Sequence, residues 1–279
     1  MNRGFVRYRS ATVSATPRLV RHTVDDPRWT LADITIAILA DPHVCRPWVT
    51  LPTLGRIVDL VNDLGADLIL LPGDFLAARQ LPALAEPADR IAPFLARLSA
   101  PLGVYAAMGN HDWRDCPVSR ATQFRRNSVI EAFAAAGIAL PRNERITIVH
   151  HGSQFSLVVF DSQIPHAGRP REGFHRPEIA FAGLPAGEPA ILMAHEPDYF
   201  AEGDPRAFLQ ISGHTHGGQM NLRGWRPMTP SLHGSRYGWG HIRESGRHLI
   251  VSGGIGYSGL PLRLFQPPEI TLVTVRTGR

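Results

Sequence analysis

Lysine is absent from this chain: all 29 basic residues are arginine. That bias is read as a GC-rich coding sequence rather than as chemistry. Cysteine is scarce, with only Cys45 and Cys116 and no CxxC pair. No disulfide framework is implied, and free thiols are the expectation. No apolar run approaches the roughly 18–20 residues of a membrane-spanning helix. The N-terminus, MNRGFVRYRSATVSATPRLVRHTV, lacks the apolar core of about 7–15 residues that marks a secretory signal. The expected location is therefore cytoplasmic. Internal repeats and low-complexity tracts are also missing, which excludes solenoid and fibrous classes.

The remaining composition is that of a folded domain. The chain has 279 residues, 44% hydrophobic and 19% charged, enough to bury a sizeable core. The net charge is +5, and its placement matters more than its size. Residues 1–30 hold Arg3, Arg7, Arg9, Arg18, Arg21 and Arg28 against Asp25 and Asp26, a local +4. This stretch reads as a basic N-terminal arm or edge segment ahead of a single domain over 31–279. Such an arm suits peripheral contact with an anionic membrane. The rest of the chain offers no charge track for a stable nucleic-acid partner.

Strand and helix patterns alternate through the first half. Apolar runs at ITIAILA (34–40), ADLILLPGD (66–74) and GVYAAMGNHD (103–112) read as strands. Residues 50–65 and 86–99 between them, and 128–137 after the third, carry helical spacing. That order predicts βαβ units on a mostly parallel sheet. The second half turns to short strands: a hairpin over 145–162, then PAILMAHEP, AFLQISGHTHGGQM, RHLIVSGG and PEITLVTV. These predict a second sheet packed on the first.

The polar residues that matter sit where the strands stop. Asp41 and His43, then Asp74, then Asn110, His111 and Asp112 follow the three first-half strands. His195 and the pair His214 and His216 follow two second-half strands. Ligands bind beyond the carboxyl ends of strands in open α/β sheets, so these ends are expected to converge. Each motif alone is weak, since Asp-x-His and Gly-Asp are ordinary turn chemistry. Together they offer mixed oxygen and imidazole donors, a set suited to Mn, Fe or Zn rather than Ca or Mg. His214 and His216 alternate, so an extended backbone would point them to opposite sides, with Gly213, Gly217 and Gly218 allowing close approach.

The ordered set Asp41-x-His43, Gly73-Asp74, Gly109-Asn110-His111-Asp112, His195 and Gly213-His214-Thr215-His216 resembles the calcineurin-like metallophosphoesterase family, in particular a bacterial branch of the YkuE and YaeI type. The resemblance runs from about residue 34 to the C-terminus. It implies a four-layer α/β/β/α sandwich with two central mixed β-sheets, and a site for two divalent or transition metal ions. Asp41, His43, Asp74 and His216 would hold one ion; Asp74, Asn110, His195 and His214 would hold the other. His111 would stay outside both sets as general acid, oriented by Asp112, while a hydroxide held by the two ions attacks a phosphate ester. Arg114 is a candidate substrate contact, and Arg236 and Tyr237 are expected to shape the pocket. Two positions depart from the usual pattern: Ala40 where serine is frequent, and Glu196 where asparagine is. The expected activity is phosphodiester or monoester hydrolysis. Alternatives are a pyrophosphatase for a UDP-diacylglucosamine type of lipid and a non-catalytic metal-binding scaffold. The scaffold reading is disfavoured because no ligand position has been lost.

Overall fold

The computed structural model describes residues 16–77, 84–164, 173–259 and 261–278. Arg3, Arg7 and Arg9 of the basic segment lie outside them. Helix α1 (Leu51–Asn62) shows how local sequence becomes structure. Thr50 caps it by accepting the Thr53 N–H at 3.3 Å, and Leu54, Ile57, Val58 and Val61 form its buried stripe. The stripe packs on strands β2 (Ile34–Ile38) and β3 (Leu68–Leu71) together with helices α2 (Ala88–Leu95) and α5 (Ser128–Ala135).

Side-chain alternation along those strands builds two cores at once. Ala37, Ile69 and Leu71 face the helices. Ile36, Ile38, Leu68 and Leu70 face the second sheet and meet Phe155, Leu157, Val159, Ile191 and Met193. The outer face of the second sheet is covered more thinly, by the short helix α6 (Pro177–Ala180) around Phe160, Phe181 and Leu192. The result is the expected four-layer α/β/β/α arrangement with two central mixed sheets.

The first sheet runs β1-β11-β2-β3-β4, with β4 at Val104–Ala106. The second runs β5-β6-β7-β8-β10-β9. Its first four members are β5 (Glu144–His150), β6 (Ser153–Val159), β7 (Ala190–Met193) and β8 (Leu209–Ser212), followed by β9 (Gly240–Glu244) and β10 (Arg247–Val251). Strands β2, β3 and β4 are mutually parallel, as are β6, β7, β8 and β10.

One strand departs from the expected grouping: PEITLVTV lies not in the second sheet but in β11 (Glu269–Thr277), which inserts into the first, parallel to β1 and antiparallel to β2. Its two faces are both apolar: Ile270 and Leu272 meet the helix layer, Val273 and Val275 the inter-sheet core. A strand apolar on both faces fits the middle of either sheet, so its pattern does not choose a partner. The stretch set apart as arm or edge segment divides. Strand β1 (Arg18–Asp26) forms the edge of the first sheet, and Trp29 is fully buried against Phe155, with ring centroids 5.1 Å apart. Among the described residues, no helix is long and apolar enough to cross a membrane. Both cysteines are free and buried.

Candidate metal centre

Five loops at strand C-termini meet at one end of the sandwich. The loop after β2 carries Asp41 and His43, that after β3 carries Asp74, and β4 runs into the five-residue helix α3 (Asn110–Arg114). From the second sheet come His195 after β7, and His214 and His216 after β8. Backbone bonds lock the loops together: Asp41 N–H to Gly73 O at 3.2 Å and Gly213 N–H to His195 O at 3.0 Å.

Two donor clusters result. The ligand atoms of Asp41, His43 and His216 lie within 4.8 Å of one another, as do those of Asp74, His195 and His214. The Nε2 atoms of His43 and His216 face each other at 3.1 Å. Asp74 stands between the clusters. Its Oδ1 accepts the His111 backbone N–H at 2.8 Å. Its Oδ2 lies 3.2 Å from His195 Nε2 and 3.5 Å from His43 Nε2. Asn110 Oδ1 is 3.2 Å from His195 Nε2. All seven expected ligand residues are thus drawn together and buried. His111 also lies close, grouped with His43 and Asp74.

The donor atoms fit divalent ions on chemical grounds. Asp74 Oδ2 and both ring nitrogens of His214 are buried without a well-formed hydrogen bond, an arrangement that costs free energy unless something binds there. Two of the other rings are aimed by backbone carbonyls. His43 Nδ1 donates to Leu76 O at 2.8 Å and His195 Nδ1 to Pro72 O at 2.7 Å, leaving each Nε2 for a metal. Burial pushes His43 down to about 4. Burial and the His195 charge push His214 to about 3, and His216 is held well below its ordinary value by burial, His43 and Arg263. These three rings are therefore neutral at pH 7, the form that ligates. Burial opposes the charge of Asp74, yet His195, His111 and His43 hold its carboxyl well below the usual range. Asp41 is pushed up to about 7 by burial, against the pull of His195.

The His-x-His segment works differently from an alternating strand. Strand β8 ends at Ser212, and His214 and His216 adopt left-handed φ of 70° and 52°. Asp41, His43 and Asp74 are also left-handed, at 50°, 40° and 60°. Each such non-glycine residue costs about 1–3 kcal/mol, a strain that accumulates at functional sites. Gly213 and Gly217 are needed for space: a Cβ would lie 2.7 Å from Asp41 Oδ2 at the first and 2.6 Å from the Gln266 side-chain amide at the second.

Asp112 requires a correction. It does not orient His111. Its carboxylate accepts the backbone N–H groups of Asp74, Phe75, Leu76 and Gly109 at 2.8–3.0 Å, so it fixes the Asp74 loop instead. A side chain three residues after Gly109 caps the α3 turn, and that geometry aims it away from the imidazole. The partner of His111 is Asp115, four residues on, with Oδ2 2.5 Å from Nδ1. That helical spacing was the overlooked signal. Arg114 lies over the same ring, 3.0 Å from Nε2, and both line a cleft of about 1090 Å³ with Asn110, His214 and Tyr199.

Other residues were also unforeseen. Ser258 Oγ is 3.4 Å from His111 Nε2. Buried Arg263 donates to the Gly256 carbonyl and lies 3.2 Å from His216 Nδ1. The departure at Glu196 has a structural use: it accepts Ser162 Oγ at 2.6 Å and Gln163 N–H at 2.8 Å, holding the 162–163 loop beside the cleft. Arg236 and Tyr237, expected at the pocket, turn to Glu244 instead.

Comparison with known proteins agrees with this geometry. Residues 34–218 match the family described as calcineurin-like phosphoesterase. The chain is 29% identical to the uncharacterized metallophosphoesterase YkuE of Bacillus subtilis, covering 87% of this chain and 79% of that one. It is 30% identical to phosphodiesterase YaeI of Escherichia coli, covering 91% and 87%. It is 26% identical to the UDP-2,3-diacylglucosamine pyrophosphatase LpxG of Chlamydia muridarum, covering 79% and 77%. Among solved structures, the NAD nucleotidase of Haemophilus influenzae shares the fold with a TM-score of 0.52 at 12% identity, over 80% of this chain and 45% of that one. Fold, donor set and family match agree: the chain belongs to the calcineurin-like phosphoesterase family.

Proposed function

We propose that this chain hydrolyses phosphodiesters with two divalent or transition metal ions, of the Mn, Fe or Zn class. The observation that carries this reading is Asp74 Oδ2, buried, without a well-formed hydrogen bond, and set between two imidazole clusters. Asp41, His43, Asp74 and His216 would hold one ion; Asp74, Asn110, His195 and His214 the other. Such an ion pair supplies a nucleophile at neutral pH and neutralises the phosphoryl oxygens.

The protein's own groups do the rest. Neutral imidazoles and the Asn110 amide add ligands without cancelling positive charge. His111 faces the cleft, with Asp115 holding the ring through Nδ1; once Arg114 leaves Nε2 for the phosphoryl oxygens, that nitrogen would carry the proton given to the leaving oxygen. Arg114 carries fork-shaped donors at the same mouth and would grip a phosphoryl oxygen. The expected result for His111→Ala is unchanged metal content with turnover lowered roughly 10²–10⁴-fold, least for esters with acidic leaving groups. Full activity of that variant on an alkyl diester would refute the role.

A second reading is pyrophosphate cleavage in a nucleotide-linked lipid, as the Chlamydia relative is named for. The cleft volume favours it, because about 1090 Å³ exceeds what a simple diester fills. Competing alkyl diesters against a nucleotide-diphosphate lipid separates the two by kcat/KM.

A further inference from the structure

We infer that the rim of the cleft is a docking face for an anionic lipid bilayer. Among the described residues, nine large hydrophobic side chains are exposed, and six fall in two short segments: Leu222, Trp225, Met228 and Leu232, and Leu262 and Phe265. The segments are stitched together. Asn221 N–H donates to Leu264 O at 2.9 Å and Leu264 N–H to Gln219 O at 2.8 Å. Leu222 and Trp225 exchange backbone bonds at 2.9 and 3.2 Å, closing a tight turn with Arg223 and Gly224 at its tip. Trp225 is 65% exposed and Leu232 91%. Clusters of exposed apolar side chains on a folded domain mark interaction sites, and tryptophan at a tip suits the headgroup layer of a bilayer.

Charge selects the occupant. No aspartate or glutamate occurs between Asp204 and Glu244, or between Glu244 and Glu269. The apolar rim is therefore drawn from acid-free chain, although Asp198 accepts Ser231 Oγ and the Leu232 N–H from below. Arg223 is exposed and has no ion pair among the described residues. Arg226 and Arg18 both lie over Trp239, at 5.0 and 5.2 Å, Arg18 being also paired with Glu269 at 3.0 Å. Strand β1 begins at Arg18. Apolar side chains beside the exposed Arg223, on stretches of chain without a carboxylate, match an anionic lipid surface, and a neutral apolar partner would leave Arg223 unused. The face also adjoins the cleft, since Leu232, Thr229 and Ser258 line it with His214.

The inference does not depend on the proposed hydrolysis, because binding is read without turnover. The test is flotation of the whole chain with phosphatidylglycerol vesicles and with phosphatidylcholine vesicles. The protein should rise with the anionic vesicles, less so at high salt, and remain behind with the neutral ones. Leu222→Ser combined with Trp225→Ser should lower partitioning roughly tenfold or more, and Arg223→Glu about tenfold. Hydrolysis of bis-p-nitrophenyl phosphate by both variants should match the parent. No flotation of the parent would overturn the inference. So would flotation unaffected by these substitutions and abolished only by Arg3, Arg7 and Arg9→Gln, which would assign binding to the arm. Self-association broken by the double variant, without vesicle binding, would assign the face to a second copy.

Discussion

The two sheets contribute different chemistry to one site. The first sheet supplies every oxygen donor, Asp41, Asp74 and Asn110, with a single imidazole, His43. The second supplies imidazoles alone, His195, His214 and His216. The two are also braced differently. The Asp74 loop is clamped by the buried carboxylate of Asp112, which accepts four backbone N–H groups. The second-sheet ring of His195 is aimed across the gap by Pro72 O, a carbonyl of the first sheet. Neither sheet holds a complete donor cluster by itself, so the candidate site depends on the packing between them.

The comparison breaks most completely at Asp74, the donor that touches both clusters. Asp74→Ala should remove both metal equivalents and lower turnover by roughly 10³-fold or more, read by elemental analysis alongside hydrolysis of an activated diester. Single losses should sharpen the division: His43→Ala should weaken one equivalent and His214→Ala the other. Loss of both from either variant would show that the clusters do not bind separately.

Asp112→Asn tests the brace. An amide nitrogen would face backbone donors, and stability should fall by about 2–4 kcal/mol, measured by denaturant unfolding. An unchanged midpoint would mean the clamp is dispensable. A milder effect is expected at Asp115→Asn, which keeps shape but removes the anion behind His111. Turnover should drop about tenfold with metal content intact; a metal loss would place Asp115 in a different role.

The smallest effect lies where the sheets meet at the opposite edge. His241 Nε2 faces His248 Nδ1 at 2.9 Å, and His22 stands edge-on to His241. Burial and the neighbouring His248, His22 and Arg243 push His241 down to about 4, with Asp25 opposing. The unfolded chain, titrating near 6.5, therefore binds more protons between about pH 6.5 and 4. Stability from this group is present above pH 6.5 and lost as pH falls toward 4. Metal-free His241→Gln should lose less stability than the parent over that window, by unfolding midpoints at pH 7 and pH 5. A parallel fall in both would remove His241 from the acid response.

Much of the site was legible because its residue types stand directly at strand ends. Asp41, His43, Asp74, His195, His214 and His216 each follow an apolar run within a few residues, so position in sequence implied position in space. Helix α1 was equally plain from its spacing. Strand β11 was legible as a strand but not as a member of the first sheet, because both of its faces are apolar. The role of Asp112 was misread for a related reason: adjacency in sequence to His111 says nothing of direction on a helical turn, where Asp115 is the neighbour in space.

Sequence alone therefore determined the candidate donors, their order and the layered class, since these follow from residue type and local periodicity. Tertiary structure decided how the donors divide. The left-handed turns at five candidate ligand residues, the carbonyls that aim His43 and His195 and the position of Asp74 between clusters arise only when two sheets close on each other. The same closure gathered Leu222, Trp225, Leu262 and Phe265 onto one rim. Such features depend on contacts between residues far apart in the chain, which no local pattern encodes.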